Sequence, residues 1–287
     1  MDSTPLRGNA VLPDPRLVVT DLDGTLLTSH KTVSAATVAA LRAARDAGLH
    51  LAVASARPLR LIESVLSPVV LDLLSAVIVS NGAAIVDPRS KGGPLHEVAV
   101  SADAGGDLIR VLRRRWPDAG FGWEFGTHFA CDPEFLTLTR TETILRDPHP
   151  DLVAAGPAAP VHQLVMAVPG RVPRDLVDVV AAALGESFAV TDSLGGVVEI
   201  SLARADKGAA AHWLAQSLEF SMDQVIAFGD EHNDLPLLTR AGVGVAMGNA
   251  SAPVRAAATA VTTSNDEDGV ASFLTRAVLS GARPVRT

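Results

Sequence analysis

Cysteine and long apolar stretches are scarce in this 287-residue sequence. Its one cysteine, Cys131, cannot form an intrachain disulfide, and it excludes a cysteine-rich metal site. We expect its side chain to be a small part of a hydrophobic core rather than a reactive thiol. No apolar run reaches the ~18 residues that would span a bilayer, and the N-terminal stretch lacks the basic start and apolar segment of a signal peptide. These absences predict a cytoplasmic protein without a membrane partner.

Basic residues are also fewer than acidic ones, since the sequence has 24 lysine and arginine residues and 32 aspartate and glutamate residues. The net charge of -8 argues against a nucleic-acid partner, because phosphate backbones are bound by basic surfaces. It is compatible with a small phosphorylated ligand, since a bound cation reverses the local charge. The apolar fraction of 48% supports large cores, and the length corresponds to about two domains at roughly 150 residues each.

Strand-like and helical segments alternate after residues 1–15, a proline-rich and polar stretch that predicts a loose arm. Apolar runs from Leu17 to Thr20, from Leu49 to Ala54 and from Ala76 to Ala83 are separated by segments with helical spacing. This order is typical of a parallel sheet with helices on its faces. The same texture returns near the end of the chain with "VVEIS", "QVIAFGD" and "VGVAMGNA" as predicted strands.

The middle of the chain has a different pattern of apolar and polar residues. Residues 87–196 mix helical and alternating segments, including the stretch "GFGWEFGTHFA", whose alternating aromatic residues predict an exposed strand pair. We therefore predict an α/β fold with a Rossmann-like parallel sheet core, formed by residues 16–86 and 197–287. Residues 87–196 are predicted to form a separate α+β domain inserted into that core.

Polar residues follow the predicted core strands at the point where each strand ends. The run "VVTDLDGTLL" stops on two acids before Gly24, a residue that lets the chain turn sharply. The full set is Asp21 and Asp23, Ser55 with Ala56 and Arg57, Asn81, and the group Asp230, Asn233 and Asp234. Ligands of open α/β sheets bind outside the carboxyl ends of the strands. We therefore expect these residues to converge on one crevice.

The residue types in this crevice indicate phosphate chemistry. Clustered carboxylates repel one another unless a cation lies among them, and oxygen ligands without histidine or cysteine suit Mg²⁺. One aspartate can act as a nucleophile, and another can act as general acid and then general base. Lys207 would add positive charge for the transferring group.

Each of these residues also has an ordinary structural interpretation. An aspartate pair before glycine is commonly a turn, Ser55 alone is typical of a helix N-cap, and Lys207 alone is typical of a solvated residue at a helix start. Asn81 before Gly82 is likewise typical of a turn. Their shared position at strand ends, in this order, favours the functional interpretation.

The four stretches "DLDGT", "SAR", "ADKG" and "GDEHND" resemble the motifs of the haloacid dehalogenase superfamily of phosphatases. The inserted segment, the "SNGA" turn and the stretch "AMGNASAPVRAAATAVTTSNDEDGV" resemble its Cof-type branch, which carries a large α+β cap. Two departures stand out. Ser55-Ala56-Arg57 replaces a common Thr-Gly-Arg, and Glu231-His232 inside the fourth motif would add a negative charge beside the expected metal.

The resemblance implies a role for each matching residue. Asp21 would be the nucleophile and Asp23 the acid/base. Mg²⁺ would be held by Asp21, the Asp23 carbonyl and Asp230, with Asp234 supporting the metal from behind. Phosphate would be held by Leu22, Ser55, Ala56, Lys207 and Asn233.

These roles predict a Mg²⁺-dependent phosphatase that hydrolyses small phosphomonoesters, with sugar or polyol phosphates as the expected substrates. A phosphomutase with the same aspartyl-phosphate intermediate and a non-catalytic regulator that binds a phosphorylated ligand are the alternatives. Trp123, Glu124 and His128 in the inserted domain are the candidate residues for contacting the variable part of the substrate.

Overall fold

A computed structural model describes residues 14–90, 92–141, 150–192 and 196–279. They form two compact units, and the predicted arm lies almost entirely outside the described residues. The first unit consists of described residues of 1–55, 59–91 and 206–287. The second consists of described residues of 56–58 and 92–205.

The described residues contain fourteen strands. In chain order these are β1 (Leu17–Asp21), β2 (His50–Ala54), β3 (Ala76–Val79), β4 (Ala84–Val86), β5 (His96–Glu97), β6 (Gly120–Phe125), β7 (His128–Cys131), β8 (Leu152–Val153), β9 (Gln163–Ala167), β10 (Phe188–Thr191), β11 (Val198–Leu202), β12 (Val225–Gly229), β13 (Val243–Ala246) and β14 (Ala260–Val261).

The helices separate these strands along the chain. They are α1 (Ala35–Asp46), α2 (Leu59–Glu63), α3 (Pro68–Leu73), α4 (Ala102–Arg115), α5 (Pro133–Thr141), α6 (Arg174–Leu184), α7 (Lys207–Ser217), α8 (Leu235–Arg240), α9 (Ala252–Ala257) and α10 (Gly269–Phe273). Among the described residues, no helix combines the length and the apolar composition that a bilayer-spanning segment requires.

The sheet of the first unit runs in the order β14-β13-β12-β1-β2-β3-β4. Every neighbouring pair is parallel except β3 with β4. Alternate side chains of β1 point to opposite faces, so Val18 packs with residues of α1, α2, α3 and α10. Leu17 and Val19 pack with residues of α7, α8 and α9. The predicted parallel α/β core is therefore confirmed, with β1 at its centre.

Local sequence signals explain how the elements of this core begin and end. The Ser34 hydroxyl caps α1 by accepting a hydrogen bond of 3.0 Å from the backbone N–H of Thr37. Gly48 follows α1 with a left-handed φ of 88°. The Ser67 hydroxyl likewise caps α3, which starts at a proline.

The second unit is built on a sheet in the order β10-β11-β9-β6-β7-β8. Residues of α4 and α6 pack on one face, and residues of α5 pack on the other. Strand β11, the "VVEIS" segment that was expected in the core, pairs antiparallel with β9 and β10. The second unit therefore extends to Ala205 instead of ending at residue 196.

Strands β6 and β7 are buried, so the prediction of an exposed strand pair is wrong. The physical reason is that helices cover both faces of the sheet, which buries Phe121, Trp123 and Phe129. The Cys131 side chain is buried in this core, as predicted for a small apolar residue.

Candidate active site

The loop that follows β1, residues 22–27, forms a tight turn. The backbone N–H of Leu27 donates to the carbonyl of Leu22 over 2.9 Å, which closes the loop. Gly24 has a left-handed φ of 81°, and a Cβ atom there would overlap the carboxylate of Asp230. Only glycine fits at this position, so the loop and the end of β12 approach each other closely.

Asp230 follows β12, which is the parallel neighbour of β1. Its Oδ1 accepts a hydrogen bond of 2.9 Å from the Thr25 hydroxyl, and its Oδ2 accepts one of 3.2 Å from Asn249 Nδ2. Burial raises the pKa of the Asp230 carboxyl to about 6, although the Thr25 hydrogen bond opposes that shift.

Lys207, the first residue of α7, is 1% exposed. Its Nζ donates to Asp21 Oδ1 over 2.6 Å and to Asp234 Oδ1 over 2.7 Å. Burial opposes the charged ammonium, but the two carboxylates outweigh it and raise the pKa of Lys207. Lys207 is therefore a charged group inside the cluster, and the interpretation as a solvated helix-start residue does not apply.

Asp234 is completely buried and accepts hydrogen bonds from three groups of the site. While its Oδ1 accepts from Lys207, its Oδ2 accepts from the backbone N–H groups of Asp230 and Glu231 over 2.9 and 3.0 Å. Both oxygens are thus engaged by protein donors. This supports a role behind the metal site for Asp234.

The carboxylates of Asp21, Asp230 and Asp234 offer oxygen atoms that all lie within 4.8 Å of one another. Burial and the nearby Asp234 charge raise the pKa of Asp21. One ammonium faces three carboxylates, so two negative charges remain uncompensated when all three are ionised. A set of oxygen donors without histidine or cysteine fits Mg²⁺. Asp234 accepts three hydrogen bonds and is completely buried, whereas Asp21 and Asp230 are 5% and 7% exposed, so Asp21 and Asp230 are the carboxylates best suited to hold it.

Asp23 follows one residue after the buried loop residue Leu22 and is partly exposed. Its Oδ1 forms an ion pair of 2.7 Å with Lys31 Nζ, with the two side chains 34% and 56% exposed. Asp23 is therefore more exposed to solvent than Asp21, which is 5% exposed.

Of the predicted phosphate-binding residues, Leu22 follows β1 and Lys207 begins α7, while Ser55 and Ala56 follow β2 and Asn233 follows β12. Ser55 is buried, and its carbonyl accepts from the backbone N–H of Asn81 over 2.9 Å. Ala56 follows it and is partly buried. Asn233 Nδ2 donates to Asn81 Oδ1 over 2.9 Å. Asn81 thus connects the two segments that would bind phosphate.

Two residues of this site were not predicted from the sequence. Thr25 lies inside the "DLDGT" motif and Asn249 inside "AMGNA", so each lies in a stretch that had been noticed for its family resemblance. Their hydrogen bonds to Asp230 span 205 and 19 residues, so no local spacing pattern indicates them.

The three candidate specificity residues do not form a cluster. Trp123 is 2% exposed and packs in the hydrophobic core of the second unit with residues of α4 and α6, which removes it from the candidates. Glu124 is buried on the opposite face of the same strand. His128 is exposed, with Nδ1 3.4 Å from Asp151 Oδ2.

An aspartate, a buried lysine and a carboxylate cluster that could hold a divalent cation therefore lie together at the carboxyl end of a parallel sheet, an arrangement that suits a phosphoryl-transfer enzyme. The chain belongs to the haloacid dehalogenase-like hydrolase family, whose model matches residues 18–274. This confirms the resemblance seen in the four sequence motifs, and the chain is a phosphatase of this family.

Characterised relatives cover nearly the whole chain. Phosphatase YwpJ of Bacillus subtilis is 28% identical over an alignment of 288 positions, gaps included, that covers 90% of this chain and 98% of YwpJ. The 5-amino-6-(5-phospho-D-ribitylamino)uracil phosphatase YitU of the same species is 28% identical, covering 91% of this chain and 96% of YitU. A solved structure of a haloacid dehalogenase-like hydrolase from B. subtilis has a TM-score of 0.72 at 26% identity, covering 91% of this chain and 99% of that one.

Proposed function

We propose that this chain hydrolyses small phosphomonoesters in a Mg²⁺-dependent reaction with an aspartyl-phosphate intermediate on Asp21. The observation that carries the proposal is the contact of Lys207 with Asp21 and Asp234, inside a carboxylate cluster that spans 4.8 Å. A buried ammonium and a site for a divalent cation both suit a dianionic phosphate.

In the first step, a carboxylate oxygen of Asp21 attacks the phosphorus atom. The bond between phosphorus and the leaving-group oxygen breaks, and Asp23 gives its proton to that oxygen. The Lys207 ammonium stabilises negative charge on the phosphoryl oxygens, and Ser55 and Asn233 hydrogen-bond them.

In the second step, Asp23 is a carboxylate and takes a proton from water. The water oxygen attacks phosphorus, the bond to Asp21 breaks, and inorganic phosphate leaves with both aspartates restored. Mg²⁺, held by Asp21, the Asp23 carbonyl and Asp230, would supply positive charge that offsets the phosphate and the acids.

For the substrate, we propose a sugar or polyol phosphate. The name of the relative YitU describes an ester of a ribityl group, which is a polyol. In the second unit, Glu124 pairs across the sheet with Gln163, and the register places Glu199 on the same face. All three are buried, and Gln163 Oε1 has no hydrogen-bond partner among the described residues. These three polar side chains suit hydroxyl groups better than apolar leaving groups.

Turnover of p-nitrophenyl phosphate with Mg²⁺ and with a chelator tests the reaction, and Asp21→Asn tests the nucleophile. We expect activity with Mg²⁺, loss of it on chelation, and no detectable turnover for Asp21→Asn, because an amide is a far poorer nucleophile than a carboxylate. Circular dichroism and thermal unfolding check that the variant is folded. Full activity of folded Asp21→Asn, or of the chelated enzyme, would contradict the proposal. A phosphate-release screen over sugar, polyol and nucleotide esters then ranks the substrates.

A further inference from the structure

We infer that Asn249 is a positioning residue that sets the affinity of this site for Mg²⁺ by holding the Asp230 carboxylate. The inference rests on the proposed function, because it takes Asp230 as a ligand of the cation. It assigns Asn249 no contact with the phosphate or with the reacting atoms.

The backbone that carries Asn249 is tied to the site from two sides. The N–H of Met247 donates to the carbonyl of Gly229, directly before Asp230, over 3.0 Å. The N–H of Gly248 donates to the carbonyl of Thr263 over 3.1 Å, and the Met247 side chain is completely buried. The loop between β13 and α9 therefore has a fixed position relative to the end of β12.

Both ends of the Asn249 amide are used. Its Nδ2 donates to the carbonyl of Gly24 over 2.8 Å and to Asp230 Oδ2 over 3.2 Å. Its Oδ1 accepts from the backbone N–H of Asn265 over 3.1 Å. A reversed amide would set oxygen against oxygen at Gly24 and Asp230, and nitrogen against the N–H of Asn265. The hydrogen bonds therefore determine its orientation.

Asn249 completes a pair of donors on one carboxylate. Thr25 holds Oδ1 of Asp230 and Asn249 holds Oδ2, while the Gly24 backbone lies close to the same carboxylate. Each carboxylate oxygen has two lone pairs, so it accepts such a bond and still binds a cation. Without Asn249, Oδ2 loses its protein donor, and the orientation of Asp230 is fixed only when the cation binds. Part of the binding free energy of Mg²⁺ is then spent on ordering the Asp230 carboxylate, so Mg²⁺ binds more weakly.

The test is Asn249→Ala, with the dissociation constant for Mg²⁺ measured by calorimetry on the full chain without substrate. Loss of a group that orients a metal ligand typically costs about 10–100-fold in metal affinity. Asn249 is an exposed residue, so water competes for its bonds and we expect about tenfold weaker Mg²⁺ binding. Turnover of p-nitrophenyl phosphate by the variant should fall most at low Mg²⁺ and rise toward the wild-type value as Mg²⁺ saturates, since the bound cation then orders Asp230.

Asn265→Ala is the matched control. It removes the bond of 2.9 Å from Asn265 Nδ2 to the carbonyl of Leu27, so one asparagine amide is lost from the same network. It keeps the backbone N–H that Asn249 accepts, and it makes no change at Asp230. We expect its Mg²⁺ dissociation constant to equal that of the wild type. Unchanged Mg²⁺ binding in Asn249→Ala, or equal weakening in both variants, would overturn the inference.

Two further proteins separate this inference from the proposed function. The wild type should bind Mg²⁺ and Asp230→Asn should lose most of that binding; otherwise the proposed metal site itself fails. If both behave as expected and Asn249→Ala binds Mg²⁺ normally, only the role of Asn249 is refuted. Should Asn249→Ala not fold, Asn249→Ser removes less volume and gives the same readout.

Discussion

Replacing Lys207 by methionine should destabilise the protein far more than the same replacement at Lys31. Both lysines contact an aspartate, over 2.6 Å for Lys207 with Asp21 and 2.7 Å for Lys31 with Asp23. The lysines differ in burial, because Lys207 is 1% exposed and the Lys31 side chain is 56% exposed, and Lys207 also contacts a second aspartate, Asp234. The pair of variants therefore compares a buried cluster with an exposed ion pair at nearly constant distance.

Removing one partner of a buried pair costs about 3–5 kcal/mol, because it leaves an uncompensated charge away from water. An exposed pair contributes about 0.2–1 kcal/mol. We expect the free energy of unfolding to fall by about 3–5 kcal/mol for Lys207→Met and by no more than about 1 kcal/mol for Lys31→Met. Turnover of every phosphate ester should fall together in Lys207→Met, since the ammonium faces the part that all substrates share.

The assay is urea unfolding in the presence of a chelator at about pH 5 and about pH 8. Burial raises the pKa of Asp21 and Asp230 above the ordinary value of 3.8, to about 6 for Asp230. Groups of this kind contribute stability below their unfolded pKa, and that contribution is lost as the pH rises through the folded pKa. The loss of unfolding free energy caused by Lys207→Met should therefore be larger at about pH 8 than at about pH 5. Equal losses for both lysine variants, or a cost that does not change with pH, would refute the reasoning.

Ca²⁺ should inhibit the Mg²⁺-supported reaction, because it prefers longer bonds and more ligands; rates in mixtures of the two ions check this. Gly24→Ala should abolish Mg²⁺ binding and turnover, since a left-handed alanine costs about 1–2 kcal/mol and its Cβ displaces Asp230; calorimetry and a phosphate-release assay measure both. In the second unit, Glu124→Gln should change the ranking of kcat/KM across a substrate panel, whereas Trp123→Ala should lower the thermal stability without changing that ranking. A reranking by Trp123→Ala alone would contradict the assignment of the two faces.

The first sheet could be predicted because its signals are local. A fully buried parallel strand reads as an apolar run, and its polar terminal residues mark the edge where ligands bind. The roles of Asp21, Asp23 and Lys207 followed from motif order and stay predictions until the variants are measured. Ser67 with Pro68 was a readable helix start that went unused, although it marks the beginning of α3.

The remaining features depend on pairings that no local pattern reveals. Strand β11 has apolar residues at Val198, Ile200 and Leu202, as a core strand could, and its place in the second sheet is decided by pairing with β9 and β10. The alternation around Trp123 correctly separates two faces of a strand. It does not show that helices cover both of them, which is why this strand pair was expected to be exposed. Thr25 and Asn249 likewise act through contacts with distant segments of the chain.

The central position of β1 has a consequence for the growing chain on the ribosome. β1 pairs with β12, and the contacting residues Thr25 and Asp230 are 205 residues apart. At about 5–20 residues per second, the first acids are made roughly 10–40 seconds before Asp230. The sequence of the second unit is complete within that interval, while β1 still lacks one neighbour. Until β12 is synthesised, the nascent protein therefore carries an unpaired apolar edge on β1, which is the kind of surface that chaperones bind.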